Sequence, residues 1–209
     1  LRIYLNIKIL MNLIFFLLLS STVNDQCPKV NTMNNFNITE YVKSKWYIQK
    51  QQITSYLPLR ENYCVTAKYE LSDKKIIGYN GIVLNVYNYA NLDMVNGKNA
   101  NKHNQVLCAR IPNINISSKL LVAPCFLPNY FGGDYWVIAA GPNSNNYEWA
   151  LISGGQPTVH YNDGCTTKTD GSNGAGLWYF TRNQIVNKSV IDKIDKIAIS
   201  NGYTLSQLH

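Results

Sequence analysis

Between Trp46 and Arg182 the hydrophobic positions fall in short stretches rich in Val, Ile, Tyr and Trp, separated by clusters of Asn, Gly, Pro and Asp. That pattern predicts a many-stranded antiparallel sheet. Asn62 to Leu71 alternates cleanly: Tyr63, Val65, Ala67, Tyr69 and Leu71 share one face, Cys64, Thr66, Lys68 and Glu70 the other, so the first set is expected to point inward. Further strands are predicted over Gly81 to Tyr89, Gln105 to Ile111, Lys119 to Phe126, Gly133 to Ala140, Tyr147 to Ser153 and Gly176 to Arg182. The turn formers Gly141 to Asn146 join two of them as a hairpin. A polar loop is expected over Asn91 to Asn104, and a longer one rich in Gly, Thr and Asp over Gly154 to Ala175.

After Arg182 the period changes. Ile185, Val186, Val190, Ile194, Ile197 and Ala198 recur at three- and four-residue intervals, which predicts an amphipathic helix over Gln184 to Ser200, stopped by Asn201-Gly202. Its stripe of Ile185, Ile194 and Ile197 is the face expected to dock.

At the other end, Leu13 to Leu19 forms an apolar run preceded by Arg2 and Lys8 and followed by Ser20, Ser21 and Thr22. The run is too short to span a bilayer and reads as a signal peptide over 1–22, with Met11 as a possible start and 1–10 as upstream read-through. No integral membrane segment is expected in the mature chain. Removing the leader leaves about 185 residues, the size of one domain, 27–209, around one core. Secretion makes disulfides the natural reading of Cys27, Cys64, Cys108, Cys125 and Cys165, which lack paired metal-ligand spacing: two bridges and one remaining thiol. Cys108 and Cys125 lie on adjacent predicted strands and suit a cross-strand bridge. Asn37, Asn115 and Asn187 head glycosylation sequons.

Composition agrees with an all-β chain: 46% hydrophobic, only 15% charged, and 15 tyrosines. The net charge of +7 raises the question of a nucleic-acid partner, but the basic residues are scattered without a run, and none is expected. His103, His160 and His209 stand in polar loops or at the terminus, so neither a metal nor a cofactor is expected.

Specific motifs sharpen the fold. The segment Phe36 to Tyr47 resembles the opening of the lipocalins, where a short helical turn leads into Gly-x-Trp at the first strand; here Ser44 stands in the glycine's place, before Trp46. Gly133 to Ala139 and Tyr147 to Ile152 resemble the sixth and seventh strands of the apolipoprotein D and bacterial lipocalin branch, and Gly176 to Arg182 resembles its eighth. A departure is Ala140-Gly141-Pro142 where many relatives carry Thr-Asp. The resemblance implies an eight-stranded antiparallel up-and-down barrel with one helix packed outside, in which Arg182 lies across Trp46 and seals the closed end, gaining cation-π attraction. It also implies a bridge from Cys27 to Cys165. Cys64 holds the place of a second-strand cysteine, but no cysteine follows Cys165, so Cys64 is expected to stay free.

Such a barrel encloses room for one small molecule, and its inward faces decide which. By alternation these include Tyr63, Val65, Ala67, Tyr69, Leu84, Val86, Asn88, Trp178 and Phe180. The lining suits a lipid, sterol, retinoid, carotenoid or tetrapyrrole; the same side chains also suit a barrel packed solid. The function expected is therefore a secreted carrier of a small hydrophobic ligand, monomeric or weakly dimeric. The alternative is a lipocalin-type isomerase or de-epoxidase acting on such a ligand. Catalysis needs a nucleophile or an acid/base pair inside the cavity. Cys64 alternates outward, and Asp134 and Glu148 flank their hairpin at opposite ends, so no catalytic residue is singled out.

Overall fold

The computed structural model describes residues 26–100, 106–171 and 173–209. The expected leader and His103 lie outside the described residues. A one-turn helix, α1 (Ile38–Val42), opens the domain; Asn37 caps it, its Oδ1 accepting the Glu40 N–H at 3.2 Å. Seven strands follow: β1 (Trp46–Gln51), β2 (Tyr63–Leu71), β3 (Val83–Asn91), β4 (Leu107–Arg110), β5 (Lys119–Pro124), β6 (Gly133–Asn143) and β7 (Asn146–Ser153). After a small hairpin of β8 (Val159–Tyr161) and β9 (Gly164–Thr166) comes β10 (Leu177–Thr181), and α2 (Lys188–Ser200) ends the regular structure.

The order β1-β10-β7-β6-β5-β4-β3-β2 closes on itself, so eight antiparallel strands form a barrel and pair every ladder edge. Its polarity follows from the connections. Asn37 Nδ2 donates to the Ser144 carbonyl in the β6–β7 turn, and Ser117 Oγ to the Phe36 carbonyl, so α1 and these two turns cover one end. The β1–β2, β3–β4 and β5–β6 loops and the chain after β7 surround the other, open end.

Alternation separates an inner core from an outer one. Trp46, Leu84, Leu120, Val137, Ala150, Ile152 and Phe180 fill the barrel's closed end. On the outside, Trp149, Leu151 and Tyr179 receive Ile194 and Ala198 of α2, with Tyr203 beside them. Both bridges are formed: Cys108–Cys125 joins β4 to the end of β5 with Cα atoms 4.8 Å apart, and Cys27–Cys165 ties the N-terminal segment to β9 at 5.8 Å. Cys64 is the free cysteine.

Three expectations need correction. First, α2 begins at Lys188 rather than Gln184, and Ile185, 89% exposed, does not dock. Gln49 Nε2, reaching over from β1, donates to the Asn183 and Gln184 carbonyls and Thr181 Oγ1 to the Asn183 carbonyl, which holds this stretch out of the helix. Second, the clean alternation of β2 breaks at both ends. Cys64 has φ 52°, and the ladder to β3 slips between Tyr63 and Thr66, so Tyr63 leaves the inward phase. Leu71, at the strand's far end, is 70% exposed. Third, the stretch expected as one loop over Gly154 to Ala175 contains the β8–β9 hairpin, whose three-residue strands are too short to show a period. The hairpin is anchored elsewhere: Cys165 N–H donates to the Gly202 carbonyl and Thr204 N–H to the Cys165 carbonyl, each at 2.8 Å.

Candidate ligand-binding site

The barrel holds a cavity of about 530 Å³ that opens between the loops opposite α1. Its wall is mainly apolar and aromatic. Of the residues the alternation places inside, Val65, Ala67, Tyr69, Val86, Asn88, Trp178 and Phe180 line it. Leu84 is fully buried below the cavity, packed in the closed end, and Tyr63 is absent from the wall because of the Cys64 irregularity. Ile48 on β1, Leu107 on β4, Val122 on β5 and Tyr135 on β6 complete the barrel wall. Alternation in those strands carries the signal for the additional residues, as on β6 Tyr135 and Val137 face in while Trp136 faces out.

The mouth is built from loops. Tyr56 lines it, its hydroxyl donating to the Ala175 carbonyl at 2.7 Å, and burial pushes its pKa up to about 12. Phe131 lines the opposite loop and is more than half exposed. The carboxylates at this level are those of Glu61 and Asp134. Burial raises the Asp134 pKa, while a hydrogen bond from Trp136 and the nearby Lys119 act the other way. Trp136 faces outward on β6 and Lys119 stands beside it on β5, so Asp134 contributes to the rim rather than to the interior.

At the floor three tyrosine hydroxyls meet. Tyr41 Oη lies 2.6 Å from Tyr135 Oη, which lies 2.7 Å from Tyr69 Oη. Burial holds all three hydroxyls protonated, their pKa values raised above the ordinary tyrosine range. Beneath them Trp46 is fully buried and donates its Nε1–H to the Tyr41 carbonyl at 3.0 Å. The Arg182 guanidinium carbon sits 3.5 Å from the Trp46 ring centroid. Arg182 Nη2 donates to the Glu40 and Tyr41 carbonyls at 2.8 and 3.0 Å, Nε to the Tyr147 carbonyl at 3.1 Å, and Nη1 to the Ser44 carbonyl. Arg182 and Trp46 therefore close the barrel and do not line the cavity.

Comparison with solved structures places this geometry. The chain superposes on the cockroach allergen Per a 4 with TM-score 0.51 at 13% identity, covering 89% of this chain and 94% of that one. For insecticyanin from the tobacco hornworm Manduca sexta the TM-score is 0.53 at 14% identity, with 88% and 84% covered. For lobster apocrustacyanin A1 it is 0.50 at 11% identity, with 90% and 91% covered. The fold is the lipocalin fold. No protein-family model and no curated protein sequence matches the chain. At these identities the likeness speaks for the lipocalin architecture alone, and what the cavity does must come from its own residues.

The remaining candidates lie away from the cavity. Asn37 is committed to capping α1 and to the Ser144 carbonyl, whereas Asn115 and Asn187 are exposed. His160 stands in β8 with Nε2 3.5 Å from Cys27 Sγ and Nδ1 3.7 Å from Cys165 Sγ. Those sulfurs are bonded to each other, so the cluster is a disulfide with an imidazole beside it. His209 pairs alongside the end of β1, exchanging two backbone hydrogen bonds with Gln51. Among the described residues no helix is long and apolar enough to cross a membrane.

Proposed function

We propose that this protein is a secreted lipocalin that carries one small apolar molecule inside its barrel. The observation that supports the reading best is the cavity itself: about 530 Å³, walled by Val65, Val86, Trp178 and Phe180, and open at one end only. A space of that size lined by such side chains is a default ligand site, since burying apolar ligand surface there gains about 25 cal/mol per Å². The signal-like leader over 1–22 and the two disulfides support secretion. The Cys27–Cys165 bridge stands where the apolipoprotein D branch implies it, which favours that branch. The exposed Asn115 and Asn187 are the sequons best placed for glycans. The ligand belongs among lipids, sterols, retinoids, carotenoids and tetrapyrroles.

Because Trp178 lines the cavity, a bound ligand alters its fluorescence. Titration with fatty acids, retinoids, sterols and bilins is expected to give a saturable change at one ligand per chain for at least one class. Trp178→Ala should weaken that binding about tenfold, as a large aromatic contact is lost. No saturable change with any class would overturn the carrier reading.

A further inference from the structure

The tyrosine cluster at the cavity floor carries chemical information about the ligand. Tyr69 of β2 and Tyr135 of β6 line the cavity, and Tyr41 of α1 stands buried behind them. Around them are rings: Tyr41 packs on Trp46, Phe36 and Tyr69, and Tyr69 meets Tyr135 edge-on. A solidly packed floor would place phenylalanine at such positions, because each buried hydroxyl must be hydrogen-bonded or costs stability.

The three hydroxyls bring three protons. The hydrogen bonds that join Tyr41 and Tyr69 to Tyr135 use two of them. The third proton can turn between a neighbouring hydroxyl and an acceptor in the cavity, and lone pairs remain to accept from a donor there. The group is thus complementary to an oxygen that both accepts and donates, or only accepts. Arg182 sets the electrical sign. Its guanidinium lies over Trp46 on the far side of Tyr41 and acts favourably on negative charge at Tyr41 and Tyr69. It therefore favours the negative end of a ligand dipole pointing at the floor. Its own donors already serve backbone carbonyls, so it has none to offer a carboxylate. An ionised group would lie desolvated against three neutral hydroxyls, at a large cost.

We propose that the Tyr41, Tyr69 and Tyr135 hydroxyls form a subsite that reads the buried end of the ligand, taking a neutral carbonyl or hydroxyl oxygen in preference to a hydrocarbon or a carboxylate. The proposal rests on the carrier reading, and deepens it: the ligand enters oxygen first, its apolar body along Val65, Val86, Trp178 and Phe180. With the ligand's apolar body filling the cavity above it, the floor is shielded from water, so the hydrogen bond there is stronger than one at the mouth.

The test is calorimetric titration with four probes of nearly equal shape: ethylnaphthalene, acetylnaphthalene, naphthylethanol and naphthylacetate. The wild-type chain is expected to bind acetylnaphthalene and naphthylethanol about fivefold to tenfold more tightly than ethylnaphthalene, the worth of one net buried hydrogen bond, and naphthylacetate most weakly. In Tyr69→Phe and Tyr135→Phe that ratio should fall to about one. Tyr69→Phe leaves the Tyr41–Tyr135 bond intact, and near-ultraviolet circular dichroism establishes that each variant is folded. Equal wild-type affinity for ethylnaphthalene and acetylnaphthalene, or a ratio unchanged in both folded variants, would overturn the subsite and leave the carrier reading standing. Binding of none of the four would count against the carrier reading and the subsite together.

Discussion

Arg182 commits its guanidinium to backbone rather than to a ligand. It bridges carbonyls of α1, of the α1–β1 turn and of β7, and covers the buried face of Trp46. Removing it orphans several carbonyls at once, so Arg182→Ala is expected to lower the unfolding free energy by about 3 kcal/mol, read from urea denaturation. Arg182→Lys should recover only a minor part, since an ammonium cannot fork between carbonyls or stack on indole. Ligand affinity of the folded fraction should change little. A loss below about 0.5 kcal/mol, the range of an ordinary surface substitution, would contradict this role. The Trp46–Arg182 contact was legible because each residue stands inside a motif. The tyrosine cluster was not: Tyr41, Tyr69 and Tyr135 arrive from three separate elements, and alternation turns Tyr69 and Tyr135 inward without showing that their hydroxyls meet that of Tyr41.

At the scale of elements, the contrast between Ile185 and Ile194 shows what docks α2. Both lie on the same apolar stripe in the sequence, yet Ile194 is fully buried against the outer face of the β7–β10 pair, while Ile185 precedes the helix and faces solvent. Ile194→Ala is expected to cost about 2–4 kcal/mol through lost burial and the cavity left behind, and Ile185→Ala less than about 0.5 kcal/mol. Equal effects in thermal or urea unfolding would contradict this packing. Periodicity revealed the helix's existence and face but not its first turn, because the side chain of Gln49, a residue distant in sequence, decides where the helix can begin. The same limit applies to β2. A period of two is legible in residues 62–71, but the positive φ of Cys64 depends on how β2 meets β3, and that irregularity removes Tyr63 from the cavity wall.

At the scale of the whole molecule, closure of the barrel concentrates tyrosines in the interior. In an unfolded chain they ionise near pH 10. Burial raises the pKa of Tyr41, Tyr69 and Tyr135 above that value, so the folded chain keeps their protons where the unfolded chain has lost them. Their contribution to stability is fully present below about pH 10 and is lost as the pH rises from there toward the raised values. Each tyrosine that stays protonated steepens the loss by about 1.4 kcal/mol per pH unit. Urea midpoints measured from about pH 8 to about pH 11 should therefore fall steeply only at the alkaline end, and Tyr135→Phe should flatten that slope by at least one tyrosine's share. An unchanged slope would contradict it. Barrel, outside helix and the Cys108–Cys125 bridge were legible in alternation, period and cysteines on adjacent strands, while the Cys27–Cys165 bridge followed from the lipocalin resemblance. The rim was not, because it is made of loops such as those carrying Tyr56 and Phe131, which have no period to read. The most direct test of a ligand inside the barrel is native mass spectrometry of the folded protein after incubation with a total lipid extract and removal of the excess. The wild-type chain is expected to retain one small organic molecule per barrel, and a folded Val65→Trp variant, whose indole occupies the cavity, is expected to retain none. Retention of nothing by the wild-type chain, or equal retention by both, would contradict a carrier that uses this cavity.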